Sequence, residues 1–171
     1  IHGVFEEFAN GRDCGPKDFP RIPYREAMLK YGSDKPDLRN PIILADVTEV
    51  FRGSGFGVFA RNIENGAVVR GIPAPGAASR PRSFFDKLND WARQEGAAGL
   101  GYIIFDNGEA KGPIAKFLDA DRIALLKKQG NVKDGDAIFF ACDKEAAAAK
   151  LAGQARLRIG DELDICDKNV F

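Results

Sequence analysis

The sequence predicts an α/β (α+β) fold with a mixed, largely antiparallel central sheet and helices packed on it. Two apolar runs, residues 102–105 and 137–142, are typical of buried strands. Between and around the strand-like runs lie stretches whose apolar residues recur at helical spacing. Two Asn-Gly pairs, at 65–66 and 107–108, have the composition of two-residue hairpin turns, which join antiparallel strands.

Length and composition are those of an ordinary globular chain. The 171 residues suit one domain, or one domain with part of another, and 44% are hydrophobic. Lys plus Arg and Asp plus Glu each number 25, so the net charge is zero. That balance argues against strong non-specific nucleic-acid binding, although it allows a local basic patch.

Cysteine and histidine are too sparse for a predicted metal site. Cys14, Cys142 and Cys166 are far apart, and His2 is the single histidine. Reduced cysteines fit a cytoplasmic protein, and no apolar run approaches the roughly 20 residues of a membrane span. Because the sequence shows no signal peptide and lacks an initiator Met, we expect a cytoplasmic fragment of a longer protein.

The first 60 residues contain short elements separated by loops. Residues 4–8 have helical spacing, 19–23 are held extended by prolines, and 24–31 form a helix that Gly32 ends. A further short helix, capped by Asp46 or Thr48, ends at Phe51. The glycines at 53–57 lack the Lys-Ser/Thr of a phosphate-binding loop. They therefore predict a turn into a strand at 56–60.

A hairpin and a helix follow. Asn65-Gly66 predicts a turn between strand 56–60 and strand 67–72, which prolines break at 73–76. Ser79 is the expected N-cap of the next helix, with Pro81 in its first turn and Gly96 as its stop. The apolar stripe of this helix is expected in the core, and an alternative is a stacking platform for bases; it comprises Phe84, Phe85, Leu88, Trp91 and Ala92.

The remaining elements alternate strand and helix. Residues 100–105 are expected as the central strand, followed by the Asn107-Gly108 hairpin turn. Asp119 is the expected cap of a helix that Gly130 ends. Strand 137–142 follows a turn at 133–136 and is too apolar to face water, so it too is expected to be a central strand. The final helix spans 144–159, with Asp143 as cap, Gly160 as stop, and Leu151, Leu157 and Ile159 available for packing.

No catalytic constellation is evident in the sequence. There is no Gly-x-Ser-x-Gly motif, and His2 near the terminus has no catalytic context. Asp134 and Asp136 are best interpreted as turn residues rather than as a general acid and base or metal ligands. We therefore predict no catalytic, cofactor-binding or metal-binding residue in this chain.

Three sequence words in a fixed order carry a family resemblance. They are YGSDKPDLR at 31–39, after a helix beginning YREAM, then GPIAKFL at 112–118 and DGD at 134–136. A glycine-rich run at 96–101 precedes the second word. Together they resemble the bacterial-type aspartyl-tRNA synthetases over nearly the whole chain. Local departures are a short hairpin at 106–110 and IPAPGAA at 72–78.

The resemblance implies a domain division and a parent activity. Residues 1–41 would belong to a class II catalytic domain, 42–160 to the family's inserted GAD-like α/β domain near the tRNA acceptor end, and 161–171 to the return segment. The parent enzyme would join aspartate to tRNA(Asp) with ATP and Mg²⁺; whether it also charges tRNA(Asn) stays open. The class-defining arginines lie outside the chain, which should be inactive alone and monomeric, whereas the full enzyme would be a homodimer.

If the domain touches RNA, basic side chains should supply the contact, since phosphates dominate affinity. The candidates are Arg70, Arg80, Arg82, Lys111 and Lys116. Arg80 and Arg82 flank Pro81 at a helix N-terminus, where cations oppose the macrodipole but backbone N–H groups favour phosphate. The alternative is scattered surface charge balanced by acids.

Two other functions stay open. One is a non-catalytic tRNA-binding module of a glutamyl-tRNA amidotransferase B-type subunit, against which YGSDKPDLR argues because that word belongs to the synthetase context. The other is an unrelated α/β small-molecule binder, which a deep apolar pocket with converging polar groups would favour.

Overall fold

The structure, a computed structural model, describes residues 1–170 and contains a five-stranded antiparallel sheet with helices on both faces. The strands are β1 (Ala45–Asp46), β2 (Val68–Ala74), β3 (Gly101–Asp106), β4 (Glu109–Lys111) and β5 (Ala137–Asp143). The helices are α1 (His2–Phe8), α2 (Tyr24–Tyr31), α3 (Thr48–Phe51), α4 (Gly57–Glu64), α5 (Arg82–Gln94), α6 (Ala120–Gly130) and α7 (Glu145–Glu162). Short 3₁₀ turns occupy Ala77–Ser79 and Ala115–Phe117.

The sheet order is β1-β2-β5-β3-β4, and each neighbouring pair is antiparallel. The predicted fold class is therefore confirmed. β5 is the middle strand, as predicted, because it pairs with β2 on one side and β3 on the other. β3 lies one place further out, between β5 and β4. At the turn between β3 and β4, Asn107 and Gly108 both have positive φ, as a type I′ hairpin requires, so this predicted hairpin is confirmed.

The alternating side chains of β5 fill two separate cores. Phe139 packs on one face against α5 and α7, whereas Phe140 packs on the other against α3, α4 and α6. Both rings are fully buried. Because both faces of β5 are covered by helices, its sequence is apolar from Ala137 to Cys142 rather than alternating between apolar and polar residues.

The predicted strand at 56–60 is wrong, since these residues begin α4. Phe59, Ala60 and Ile63 lie on one buried face of this helix. Consequently Asn65-Gly66 is not a hairpin turn. It joins α4 to β2, and Gly66 takes the left-handed conformation with φ of 83°.

The prediction that residues 73–76 end this strand is confirmed, although β2 continues two residues further than expected, through Pro73 to Ala74. β1 pairs only with Arg70 and Gly71, so one edge of β2 is open beyond that point. A proline lacks an N–H and is tolerated at such an edge.

Helix ends agree with the predictions in part. Gly32 ends α2 in the left-handed conformation, and the Asp119 carboxylate accepts a 2.9 Å hydrogen bond from the Arg122 N–H, so both predictions are confirmed. The Asp46 carboxylate accepts from the Thr48 N–H at 3.0 Å, although Val47 holds the N-cap position of α3. The left-handed residue after α6 is Asn131 rather than Gly130.

Other predicted caps are wrong. Ser79 lies in the 3₁₀ turn and donates its hydroxyl to the Gly76 carbonyl, while Pro81 holds the N-cap position of α5. Asp143 is the last residue of β5, so Lys144 precedes α7. α7 continues through Gly160 to Glu162.

Two predicted side-chain roles on the helices are corrected as well. Leu157 is exposed on α7 and does not contribute to the core. Phe84 and Phe85 are buried against Phe139, so they cannot form a platform for bases. Trp91 is half-buried beneath the guanidinium of Arg158, at 5.4 Å.

Candidate nucleic-acid interface

The start of α5 presents two of the five candidate cations. The Arg82 side chain is 87% exposed and forms a loose ion pair with Asp86 at 3.7 Å. Arg80 lies over the Phe84 ring at 5.7 Å and donates to the Glu162 carbonyl at 3.4 Å. Because Glu162 ends α7, Arg80 lies at a helix C-terminus, where a positive charge is favourable. This contact offsets its unfavourable position at the start of α5.

Lys111 and Lys116 border the GPIAKFL segment. Lys111 ends β4 and its Nζ is 2.8 Å from Asp106 Oδ2, a hydrogen bond that raises the pKa of Lys111. Lys116 lies in the second 3₁₀ turn with its ammonium 5.1 Å from the centre of the Phe117 ring. Both side chains are accessible at the surface.

A cavity of about 360 Å³ brings Arg82 together with this segment. Its wall includes residues of α4, α5, β3 and the GPIAKFL word, namely Phe56, Val58, Phe59, Asn62, Arg82, Asp86, Asn89, Ala98, Gly99, Leu100, Gly101, Tyr102, Pro113, Ile114 and Cys142. Gly112 follows Lys111 and has a positive φ of 118°, and a Cβ there would lie 3.1 Å from the Tyr102 carbonyl oxygen. Arg82 therefore shares a cavity wall with Tyr102, and Lys111 adjoins a glycine that lies against Tyr102.

Arg70 does not belong to this surface. It is only 3% exposed, within β2, and its guanidinium faces Asp46 and Glu145 rather than solvent. Its position in a strand covered on both faces by helices explains the burial. This burial argues against an RNA contact by Arg70, whereas the roles of Arg80, Arg82, Lys111 and Lys116 stay predictions.

The environment of Asp46 lowers its pKa. Burial alone would raise the pKa, but hydrogen bonds from the Thr48 hydroxyl and N–H and the charge of Arg70 outweigh it. The hydroxyl donates at 2.6 Å and the Arg70 Nη1 lies 2.8 Å from the other carboxylate oxygen. Since the folded pKa is below the unfolded value of about 3.9, the stabilisation is present above that value and is lost as the pH falls through the folded pKa.

We therefore expect Asp46→Asn to reduce the acid sensitivity of the chain. The free energy of unfolding, measured in urea between pH 7 and about pH 2.5, should differ most from wild type at neutral pH and converge on it in acid. Asp121→Asn, on the exposed first turn of α6, is the control. Its difference in free energy of unfolding from wild type should not shrink in this way as the pH falls. A difference between wild type and Asp46→Asn that is constant across this pH range would contradict the expectation.

The carboxylates of the DGD word accept hydrogen bonds from turns. Asp136 accepts from the N–H groups of Gly76 and Lys133, at 2.9 and 3.0 Å, and Asp134 accepts from that of Gly108 at 2.9 Å. These contacts tie three turns together at one end of the sheet. Among residues 1–170, no group of cysteine, histidine and carboxylate side chains is arranged to hold a metal ion.

A family model matches the part of the chain that contains this surface. The model described as "GAD domain" matches residues 59–152, which is more than half of the chain. The chain belongs to the GAD domain family. The matched residues run from α4 to the middle of α7 and so include most of the cavity beside Arg82 and the GPIAKFL segment.

Curated relatives extend the similarity beyond the GAD domain. The chain is 64% identical over all 171 residues to the aspartate–tRNA(Asp/Asn) ligase of Paramagnetospirillum magneticum, of which it covers 20%. It is 60% identical to that of Beijerinckia indica and 61% identical to that of Rickettsia felis, covering 30% and 28% of them. The chain thus spans between a fifth and a third of the length of these relatives.

A buried arginine that no sequence motif singles out joins the residues before the GAD domain to α7. Arg156 is 1% exposed, and its guanidinium donates to the carbonyls of Ile42, Asn40 and Asp37 at 2.6, 2.7 and 2.9 Å. In return the Asn40 amide donates to the Arg156 carbonyl at 2.9 Å. The sequence signal was a lone arginine on the alanine-rich face of α7, one turn after Ala152.

The helices of the GAD domain and its flanking segments are short or polar. Within residues 1–170, none of them combines the length and the apolar character that crossing a bilayer requires.

Proposed function

We propose that this chain is part of a bacterial-type aspartate–tRNA ligase that joins aspartate to tRNA(Asp) and tRNA(Asn) in the cytoplasm. The observation that carries the proposal is identity at 57–64% over all 171 residues to ligases so named, including the residues outside the GAD domain. An amidotransferase subunit would be expected to share the GAD domain but not YGSDKPDLR. That alternative is therefore not favoured.

The chemistry of the parent ligase would use ATP and Mg²⁺ bound outside this chain. As a proposal, residues 1–41 belong to the catalytic domain, 42–160 to the insertion and 161–171 to the return. We also propose that the parent is a homodimer and this chain a monomer, which light scattering would test.

For the insertion itself we propose contact with the acceptor stem of tRNA. Two features support this role: Arg80 and Arg82 at the start of α5, and the shared neighbourhood of Arg82 and the GPIAKFL segment. No side chain among the described residues caps the N-terminus of α5, so its first-turn N–H groups remain suited to a phosphate. Recognition would be of phosphates rather than of base sequence.

The test is binding of the purified chain to an acceptor-stem hairpin across a salt series. We expect affinity to fall as salt rises, and Arg80→Ala/Arg82→Ala to weaken binding by about tenfold at low salt while reducing the salt slope by about two. The matched control is Lys128→Ala/Lys150→Ala, which removes the same charge from exposed positions on α6 and α7. Equal loss in both double variants would mean non-specific attraction, and no binding at low salt would exclude a direct contact by the isolated chain.

The parent activity has a separate test. The longer polypeptide that contains this chain should charge both tRNA(Asp) and tRNA(Asn) with labelled aspartate. Charging of tRNA(Asp) alone would contradict the dual specificity, and charging of neither would contradict the proposed ligase.

A further inference from the structure

A second cavity, of about 810 Å³, lies on a different part of the molecule, between α2, β2 and the start of α7. Its wall is formed by Pro23, Tyr24, Arg25, Glu26, Met28, Leu29, Asp46, Arg70, Glu145, Ala146 and Ala149. Most of this lining is apolar surface from α2 and from the alanines of α7. A cavity of this size, with apolar walls and a few polar groups, has the properties of small-molecule sites.

Arg70 is the buried charged group of this cavity, and its hydrogen bonding is incomplete. Within residues 1–170, neither Nε nor Nη1 has an aligned hydrogen-bond acceptor, although Nη1 forms the 2.8 Å ion pair with Asp46. Buried N–H groups without acceptors are rare and costly, and the cost is largest for a charged group. Because Nε and Nη1 are themselves shielded from solvent, an incoming acceptor would engage Nη2, whose contact with Glu145 is long at 3.5 Å.

The two carboxylates beside Arg70 hold it unequally. Asp46 is fixed, because Thr48 donates two hydrogen bonds to one of its oxygens and Arg70 engages the other. Glu145 is 77% exposed, and its oxygen lies 3.5 Å from Arg70 Nη2, at the limit of a hydrogen bond. An anion entering the cavity would thus displace Glu145 toward solvent and leave Asp46 in place.

We propose that this cavity binds a small organic carboxylate. Its apolar body would lie against Met28, Leu29 and the alanines of α7, and its carboxylate would accept hydrogen bonds from Arg70 in place of Glu145. A hydrogen bond between a guanidinium and a carboxylate is charge-assisted and therefore strong, which suits this role. Arg25, exposed at α2 in the same lining, adds a second positive charge, while the lining carboxylate of Glu26 is paired with Lys30 at 2.6 Å. The site is independent of the proposed RNA contact and of the parent activity.

Phenylacetate is the probe, and phenylacetamide of nearly the same shape is its neutral counterpart. Titration of the ¹⁵N-labelled chain, observed through backbone and arginine Nε–H signals, should give a Kd of about 1 mM for phenylacetate, which is reasonable for a ligand of this size. The signals of Arg70, Leu29 and Ala146 should move. Phenylacetamide should bind about tenfold more weakly, since it brings no charge to Arg70.

Three variants make the test specific to this cavity. Glu145→Gln removes the competing carboxylate and should tighten phenylacetate binding about threefold, with little effect on phenylacetamide. Ala146→Trp fills the cavity from an exposed helix position and should weaken binding by about tenfold or more. Ala147→Trp, also exposed but outside the lining, is the matched control and should bind as wild type does.

Arg70→Met should abolish the preference for phenylacetate over phenylacetamide, provided that the variant folds. If Arg70→Met does not fold, Glu145→Gln and Ala146→Trp still test the site. Equal affinity for phenylacetate and phenylacetamide would exclude Arg70 from the site. No signal change at 10 mM phenylacetate, a roughly tenfold excess over the expected Kd, or binding that Ala146→Trp leaves intact would overturn the proposal.

Discussion

Arg156→Met is expected to lower the free energy of unfolding by about 3–5 kcal/mol. The substitution retains an unbranched apolar stem but removes the N–H groups that donate to three carbonyls, those of Asp37, Asn40 and Ile42. Asn40 and Ile42 are almost completely buried, so their freed carbonyls cannot recover hydrogen bonds from bulk water, whereas Asp37 is only half-buried. The stacking of the guanidinium over the Tyr31 ring, at 5.0 Å, is lost as well.

The charge of Arg156 is compatible with its burial. Burial lowers the pKa of its guanidinium, and the nearby negative charge of Asp37 counteracts that effect. Arginine remains protonated at any pH at which proteins fold, so the group enters the interior as a cation. Its carbonyl acceptors and Asp37 then replace the water that it loses.

Arg158→Met is the control, because it changes the same residue type two positions later on the same helix. The Arg158 side chain is 42% exposed, lies over Trp91 at the surface and pairs loosely with Glu162 at 3.9 Å. Urea denaturation should therefore show a loss below about 1 kcal/mol for this variant. A similar loss of free energy of unfolding for both variants would mean that the hydrogen bonds of Arg156 to carbonyls do not stabilise the fold.

The same contacts bear on how the chain is divided. Residues 37–42 lie before the GAD domain, and Arg156 lies four positions after its matched end, yet they are joined by four hydrogen bonds. α2 also packs on α7 through Gly32 and Gly153. We infer that the GAD domain and the preceding loop unfold together.

The sequence predicted correctly those elements that short stretches of neighbouring residues determine. Three of these elements are the helix at 24–31, the helix capped by Asp119 and the hairpin at Asn107-Gly108. In each, a capping or turn residue fixes the backbone of its immediate neighbours. α4 was missed because Gly53, Gly55 and Gly57 indicate turns, and because its apolar face is completed only by packing against Phe51 and Phe140. That packing depends on residues distant in sequence.

The candidate site was predictable in residue type but not in exposure. Arg80 and Arg82 lie beside a proline at a helix start, a local pattern that the sequence shows. Arg70 occupies a strand position with no polar neighbours in β2, and only the sheet order reveals that helices cover both faces of it. Its partners, Asp46 and Glu145, are 24 and 75 residues away, so no local spacing could indicate the ion pairs.

Gly153→Ala is expected to destabilise the chain by about 1–2 kcal/mol, although alanine is the better helix former. A Cβ at position 153 would lie 2.6 Å from the Gly32 carbonyl oxygen and 2.9 Å from its carbon. These are backbone atoms, so no side-chain rotation relieves the contact. Gly32 cannot easily withdraw, because its left-handed conformation ends α2 and its N–H donates to the Met28 carbonyl at 3.1 Å.

Two opposing effects decide the sign of this change. Replacing a helical glycine by alanine gains about 1 kcal/mol in the isolated helix, whereas forcing an extra methyl group into a close-packed contact costs about 1–3 kcal/mol or more. Gly57→Ala, at the start of α4, isolates the first effect because a Cβ placed there would meet no neighbouring atom within 4 Å. That control should be neutral or slightly stabilised in urea denaturation. Gly153→Ala equal to or more stable than wild type would mean that α2 can move away from α7, and the close approach of the two glycines would then not hold residues 24–42 in place.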